Sequence, residues 1–237
     1  MAIFDEPSRK PLPEPEFGDV SRAAARGLMA MVPFGNVASE LWALLGPPVS
    51  QRRDAWLEDL ARRLHDLEGK IEGFRFDDLG QNEQFVSATL QATQSALRTH
   101  QKEKLEALRN ALLNIAIERS PDEDEQTMFL GYIDELSTWH IRLLVFLQNP
   151  LKLVNERKGR TEYYMGSISQ PLEEVYPELR GKREFYDQIM RDLRSRGFIN
   201  SSADVLHTTM TASTSGMFAK RTTETADRFL SFITSPT

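Results

Sequence analysis

Cysteine is absent from all 237 residues, which removes disulfides, thiolate metal sites and cysteine nucleophiles together. Histidine is nearly as scarce. His65, His100, His140 and His207 lie far apart, with no HExxH and no pair at helical spacing, so no metal site is expected. His65 beside an apolar helix seam and His140 between Trp139 and Ile141 fit structural roles better than ligand roles. The glycine-rich phosphate loop ending in Gly-Lys-Ser/Thr, the Gly-x-Gly-x-x-Gly dinucleotide turn and the Gly-x-Ser-x-Gly hydrolase elbow are all missing. No catalytic residue and no cofactor are expected. Asp122 to Glu125 lacks the alternating ligands and glycine of a calcium loop, and fits the charged first turn of a helix instead.

The N-terminus lacks a basic segment followed by an apolar one, so no secretory leader is expected and the cytoplasm is the default location. Residues 1–18 are acidic and proline-rich, as an extended arm would be. A long uninterrupted apolar run is missing too. The nearest approach is Gly27 to Val49, which carries only Glu40 as a charge in a chain where 27% of residues are charged. Pro33, Gly35 and Asn36 break it short of the roughly 20 apolar residues that a membrane span needs. Two short helices, ending at Pro33-Phe34-Gly35 and at Gly46-Pro47-Pro48, would make residues 23–45 an apolar hairpin. Leu28, Met31, Phe34, Leu41 and Trp42 are its candidate contact residues, with Leu28, Met31, Leu41, Trp42 and Leu45 expected to be buried.

What is abundant is helical periodicity. Ser50 to Gly73 places Trp56, Leu60, Leu64, Leu67 and Ile71 on one face. Val86, Leu90 and Leu97 mark the next helix, and Leu105, Leu108, Leu112 and Ile115 form a heptad-like seam on the one after it. Ser120-Pro121 followed by acids predicts a capped helix start, with Phe129, Leu130, Ile133 and Leu136 inward. A further helix, capped by Thr138, ends at Pro150. Residues 19–150 therefore predict a helical bundle.

Charge changes sign near residue 150: one Arg against six acids over 120–150, then 13 Lys and Arg against 11 acids over 151–237. Residues 151–168 are basic and irregular, and are expected to be a linker in which Tyr163 and Tyr164 dock on a neighbouring helix. Beyond it the order is a short helix from Ser169, a helix over 182–196 stopped by Gly197, a Thr-rich hairpin around Ser213 to Gly216, and a last helix over 225–233. LRSRGFI, the polar hairpin and TTETADRFLSFI resemble winged-helix domains, with Ala226 where those have glycine. That resemblance implies a small α+β domain over 169–237, docking protein or DNA. Its nucleic-acid candidates are Arg191, Arg194, Lys220 and Arg221. Residues 85–150 resemble a segment of uncharacterised bacterial helical proteins, which implies no activity.

The expected fold is mainly α: an N-terminal helical bundle followed by a small winged-helix-like α+β domain. The expected function is a non-enzymatic interaction or regulatory protein that binds a protein partner or itself as a homo-oligomer, with DNA contact by the C-terminal part. The alternatives are a membrane-acting effector using the hairpin 23–45, and an enzyme whose site is built from unremarkable residues. Net charge of −6 argues against coating nucleic acid by charge alone.

Overall fold

A computed structural model describes residues 35–159 and 163–236, with the side chains of 35–42, 45, 47, 158 and 203 excepted. The protein is mainly helical. The chain forms two compact units, residues 1–51 and 52–237.

The described part of the first unit is the start of helix α1, Gly35–Glu68. The helix does not stop at Gly46-Pro47-Pro48 as expected. Two prolines remove two N–H donors, but Leu44, Pro48 and Val49 are exposed, so water can reach the freed carbonyls. Of the apolar stretch, Leu44 and Val49 face solvent. Leu28, Met31 and Phe34 lie outside the described residues, as do the side chains of Leu41, Trp42 and Leu45.

In the second unit α1 turns amphipathic as its sequence requires. Trp56, Leu60, Leu64 and Leu67 are buried. A 3₁₀ turn, Phe76–Gln81, leads to α2, Glu83–Arg98, capped by the Asn82 side chain accepting from the Phe85 amide at 3.0 Å. The residues that mark this helix in the sequence are not its inward face. Val86 is 41% and Leu90 62% exposed, while Phe85, Ala88, Ala92 and Ala96 face inward. The alanines recur every four residues and let α2 lie close against α3, Lys102–Ala116, which supplies Ala107 and Ala111. A bulky seam would hold the helix axes farther apart.

Helix α3 is the central element, with Leu108, Leu112 and Ile115 buried as expected. It also buries Asn110 and Asn114. Helix α4, Glu123–Glu135, is capped by Asp122 rather than Ser120; Ser120 instead accepts from the Gln126 side chain. Helix α5, Thr138–Gln148, is capped by Ser137 rather than Thr138. The shift on α4 leaves its expected buried face intact.

Residues 151–158 are not linker. Asn149 caps and Pro150 opens a helix, α6 (Pro150–Lys158), because a proline costs nothing at the first helical position. Its Val154 joins one hydrophobic core that runs from Trp56 to Ile233. Strand β1, Met165–Gly166, precedes α7, Ser169–Val175, and α8, Arg183–Ser195. Gly197 ends α8 at φ 74°, a conformation that favours glycine, and the Phe198 amide closes back on the Leu193 carbonyl at 2.9 Å. Strand β2, Met210–Thr211, pairs antiparallel with β1 rather than with the other arm of the expected hairpin. The Met217 amide reaches the Thr211 carbonyl at 2.9 Å across the turn, and an isolated bridge pairs Thr222 with Ile199, upstream of the hairpin. Helix α9, Glu224–Phe232, is capped by Thr223 and buries Ala226, Phe229, Leu230 and Phe232. Phe229 stacks on Phe198 and meets Phe129 and Tyr132 of α4 edge-on, and Phe232 packs tilted against Phe129, so the C-terminal helix shares the bundle's core.

Candidate interaction groove

The alanine face of α2 has a consequence on its opposite side. Turning Ala88, Ala92 and Ala96 inward points Val86 and Leu90 outward, beside Leu57 of α1, which is 39% exposed. Between the helices runs an open groove of about 520 Å3, lined by Leu57, Leu60, Ala61 and Leu64 on one wall and Phe85, Val86, Thr89 and Leu90 on the other. Phe76, Asp77, Leu79 and Gly80 of the 3₁₀ turn complete the lining. The volume lies within the range of roughly 300–1,000 Å3 common to ligand sites. The Thr89 hydroxyl is buried in this wall without a hydrogen-bond partner.

The walls are held by polar clamps on the far side of α1. Trp56 Nε1 donates to Thr93 Oγ1 at 3.1 Å, tying α1 to α2. Arg63 forks onto Glu106 of α3 at 2.7 and 3.0 Å. Arg109 lies 5.0 Å from the centre of the Trp56 ring and 2.5 Å from the Asp59 carboxylate. Burial pushes its guanidinium pKa down, and Arg63 adds to that. At the near end, the His65 ring packs tilted against Phe76 with centroids 4.1 Å apart. The groove is thus a fixed gap between braced helices.

Its rim is acidic. Glu58, Asp77, Asp78 and Glu83 are exposed and form no ion pair among the described residues. Arg75, exposed in the same loop, offsets one of the four.

The four nucleic-acid candidates differ in exposure and pairing. Arg191 and Arg194 are exposed on α8, with Arg191 donating to Gln188. Arg221 is only 6% exposed, and its guanidinium donates to the carbonyls of Met217, Ala219 and Gly216 at 3.1, 2.5 and 2.9 Å. It fastens the 210–221 loop and is not presented to phosphate, which corrects its expected role. Lys220 is paired with Asp227. Burial would raise the Asp227 carboxyl, but hydrogen bonds from Lys220, Gln148 and Thr222 hold it below the usual carboxylate range. Tyr163 donates to Glu174 of α7 at 2.7 Å, docking on a helix as expected, and its hydroxyl pKa is raised by burial and by that carboxylate. Tyr164 is exposed.

One constellation has the residue types of a hydrolytic triad. Ser137 Oγ lies 2.7 Å from His140 Nδ1, and His140 Nε2 lies 3.5 Å from Asp192. Ser137 Oγ also accepts the third backbone N–H of α5, and the Ser137 amide donates back to the His140 ring, which is a reciprocal helix cap. Burial lowers the His140 pKa despite Asp192. Among the described residues no group of three His, Asp or Glu is placed to hold a metal ion. Among them, too, no helix is long and apolar enough to cross a membrane.

The sequence did not disclose the groove because Val86 and Leu90 mark a helix without saying which of its faces turns inward. The signal was present in the four-residue alanine spacing of α2, which competes with the larger side chains for the inward face. No family model matches the chain, and neither a curated protein nor a solved structure matches it.

Proposed function

We propose that this protein is a non-enzymatic interaction protein that binds a protein partner in the groove between α1 and α2. The observation that carries this reading is the placement of Leu57, Val86 and Leu90 side by side at the surface around an apolar trough. Leaving such side chains in water forfeits roughly 1.5–3 kcal/mol each relative to full burial, and a partner that covers them recovers part of it. Apolar patches on monomers mark interaction sites more often than accidents. The absence of a recognisable catalytic motif in the sequence supports the same reading.

A photo-crosslinking residue at position 90 tests it, with one at Glu156 on α6 as the control. The expected result is a defined adduct, identified by mass spectrometry, at position 90 alone and lost when Val86→Glu is added. Equal labelling at both positions, or adducts indifferent to Val86→Glu, would refute the groove as the binding site.

A further inference from the structure

We infer that the groove is built for one amphipathic helix whose apolar stripe is flanked by Lys or Arg; this rests on the groove being the interaction site. Two arguments support it. The first is shape. Both walls are helices, and both present apolar side chains at helical spacing: Leu57, Ala61 and Leu64 on α1, Val86 and Leu90 on α2. A trough between two packed helices accepts a third helix by ridges-into-grooves packing, with anchors at i, i+3 or i+4, and i+7. The Leu57 to Leu64 wall is about 10 Å long at 1.5 Å per residue, enough for two turns of a partner.

The second argument is charge. Glu58 adjoins Leu57, Asp77 lines the trough, Asp78 follows it, and Glu83 opens α2. Four unpaired carboxylates against Arg75 favour a cationic partner and slow the approach of an anionic one. The same rim argues against a second copy seated groove to groove, since a two-fold contact would oppose like charges across an apolar seam. An amphipathic segment with basic flanks satisfies the trough and the rim together.

The test uses the full chain and three fluorescent peptides of about 18 residues, read by anisotropy. One carries Leu at i, i+4, i+7 and i+11 with Lys on both flanks. The second replaces every Lys by Glu, and the third scatters the same Leu and Lys residues around the helix. At low salt the Lys peptide should bind at least about tenfold tighter than the Glu peptide, with the gap closing as salt is raised toward about 1 M. The scattered peptide should not bind. Leu90→Glu, at a site already exposed, should weaken binding at least about tenfold with the thermal melt unchanged. Asp77→Asn with Asp78→Asn should narrow the Lys-to-Glu gap while leaving apolar binding in place.

Equal binding of Lys and Glu peptides, both lost in Leu90→Glu, would overturn the basic-helix inference and leave the groove standing. Binding indifferent to Leu90→Glu, or no binding by any peptide, would overturn both. A concentration-dependent dimer that Leu90→Glu dissociates, or a crosslink from position 90 to the chain's own first 34 residues, would assign the groove a different occupant and overturn the inference.

Discussion

Replacing Arg221 by Ala should destabilise the protein by about 2–4 kcal/mol, whereas Arg194→Ala should change it by less than about 0.5 kcal/mol. The two residues look alike in the sequence, both arginines in basic stretches of the C-terminal part. In the structure Arg194 is exposed, and Arg221 is buried with three backbone carbonyls on its guanidinium. Each charge-assisted bond contributes roughly 1.5–3 kcal/mol, and a buried carbonyl left without a donor costs about 1–3 kcal/mol. Removing the arginine also removes a cation whose burial is unfavourable, which is why its pKa is depressed. The net loss is therefore well below the gross sum. For a chain of this length it corresponds to roughly a 5–15 °C fall in melting temperature. Urea unfolding followed by far-UV circular dichroism measures it directly. Arg221→Lys should recover little, because one ammonium cannot reach three carbonyls at once. An Arg221→Ala protein within about 0.5 kcal/mol of the parent would show that the loop carbonyls find water unaided. It would also restore Arg221 as a candidate for contact with an external anion.

Three further outcomes follow from particular contacts. Ala92 is fully buried on the face of α2, so Ala92→Leu should overpack that face and cost about 1–3 kcal/mol in urea unfolding; a neutral result would mean that the helices separate freely. Asn114 Nδ2 donates to the carbonyls of Phe232 and Thr234 at the end of α9, at 2.9 Å each. Asn114→Leu should therefore cost about 2–4 kcal/mol and raise amide hydrogen exchange in α9 first, and unchanged exchange there would refute the capping role. His140 is held below its ordinary pKa of 6.5 mainly by burial. Below that value the unfolded chain takes up the proton before the folded one, so this contribution to stability is complete above pH 6.5 and lost as the pH falls through the lowered folded value. His140→Gln should flatten the dependence of the urea midpoint on pH between about 5 and 7, and an unaltered slope would exclude His140 as its source.

The candidate site and the C-terminal basic cluster show how far pattern alone carries. The seams of α1, α3 and α4 were legible because large apolar residues recur there without competition. On α2 two stripes compete, Val86 with Leu90 and Ala88 with Ala92 and Ala96. Periodicity cannot choose between them, since both have helical spacing. The choice falls to α3, whose own alanines at 107 and 111 accept a small-residue face, and the displaced stripe becomes the wall of the groove.

By itself, the sequence determined the helical class, the placement of most helices, the inward faces of three of them and the stop at Gly197, because these depend on local spacing, capping and backbone freedom. Tertiary structure alone decided which of two apolar stripes on α2 meets solvent, that Arg221 turns inward while Arg194 stays out, and that β2 pairs with β1. It also decided that residues 150–158 continue the helical body rather than link two domains. Each of these depends on what another part of the chain places opposite. A side chain's exposure is a property of the gap it faces, and that gap exists only once the helices have packed.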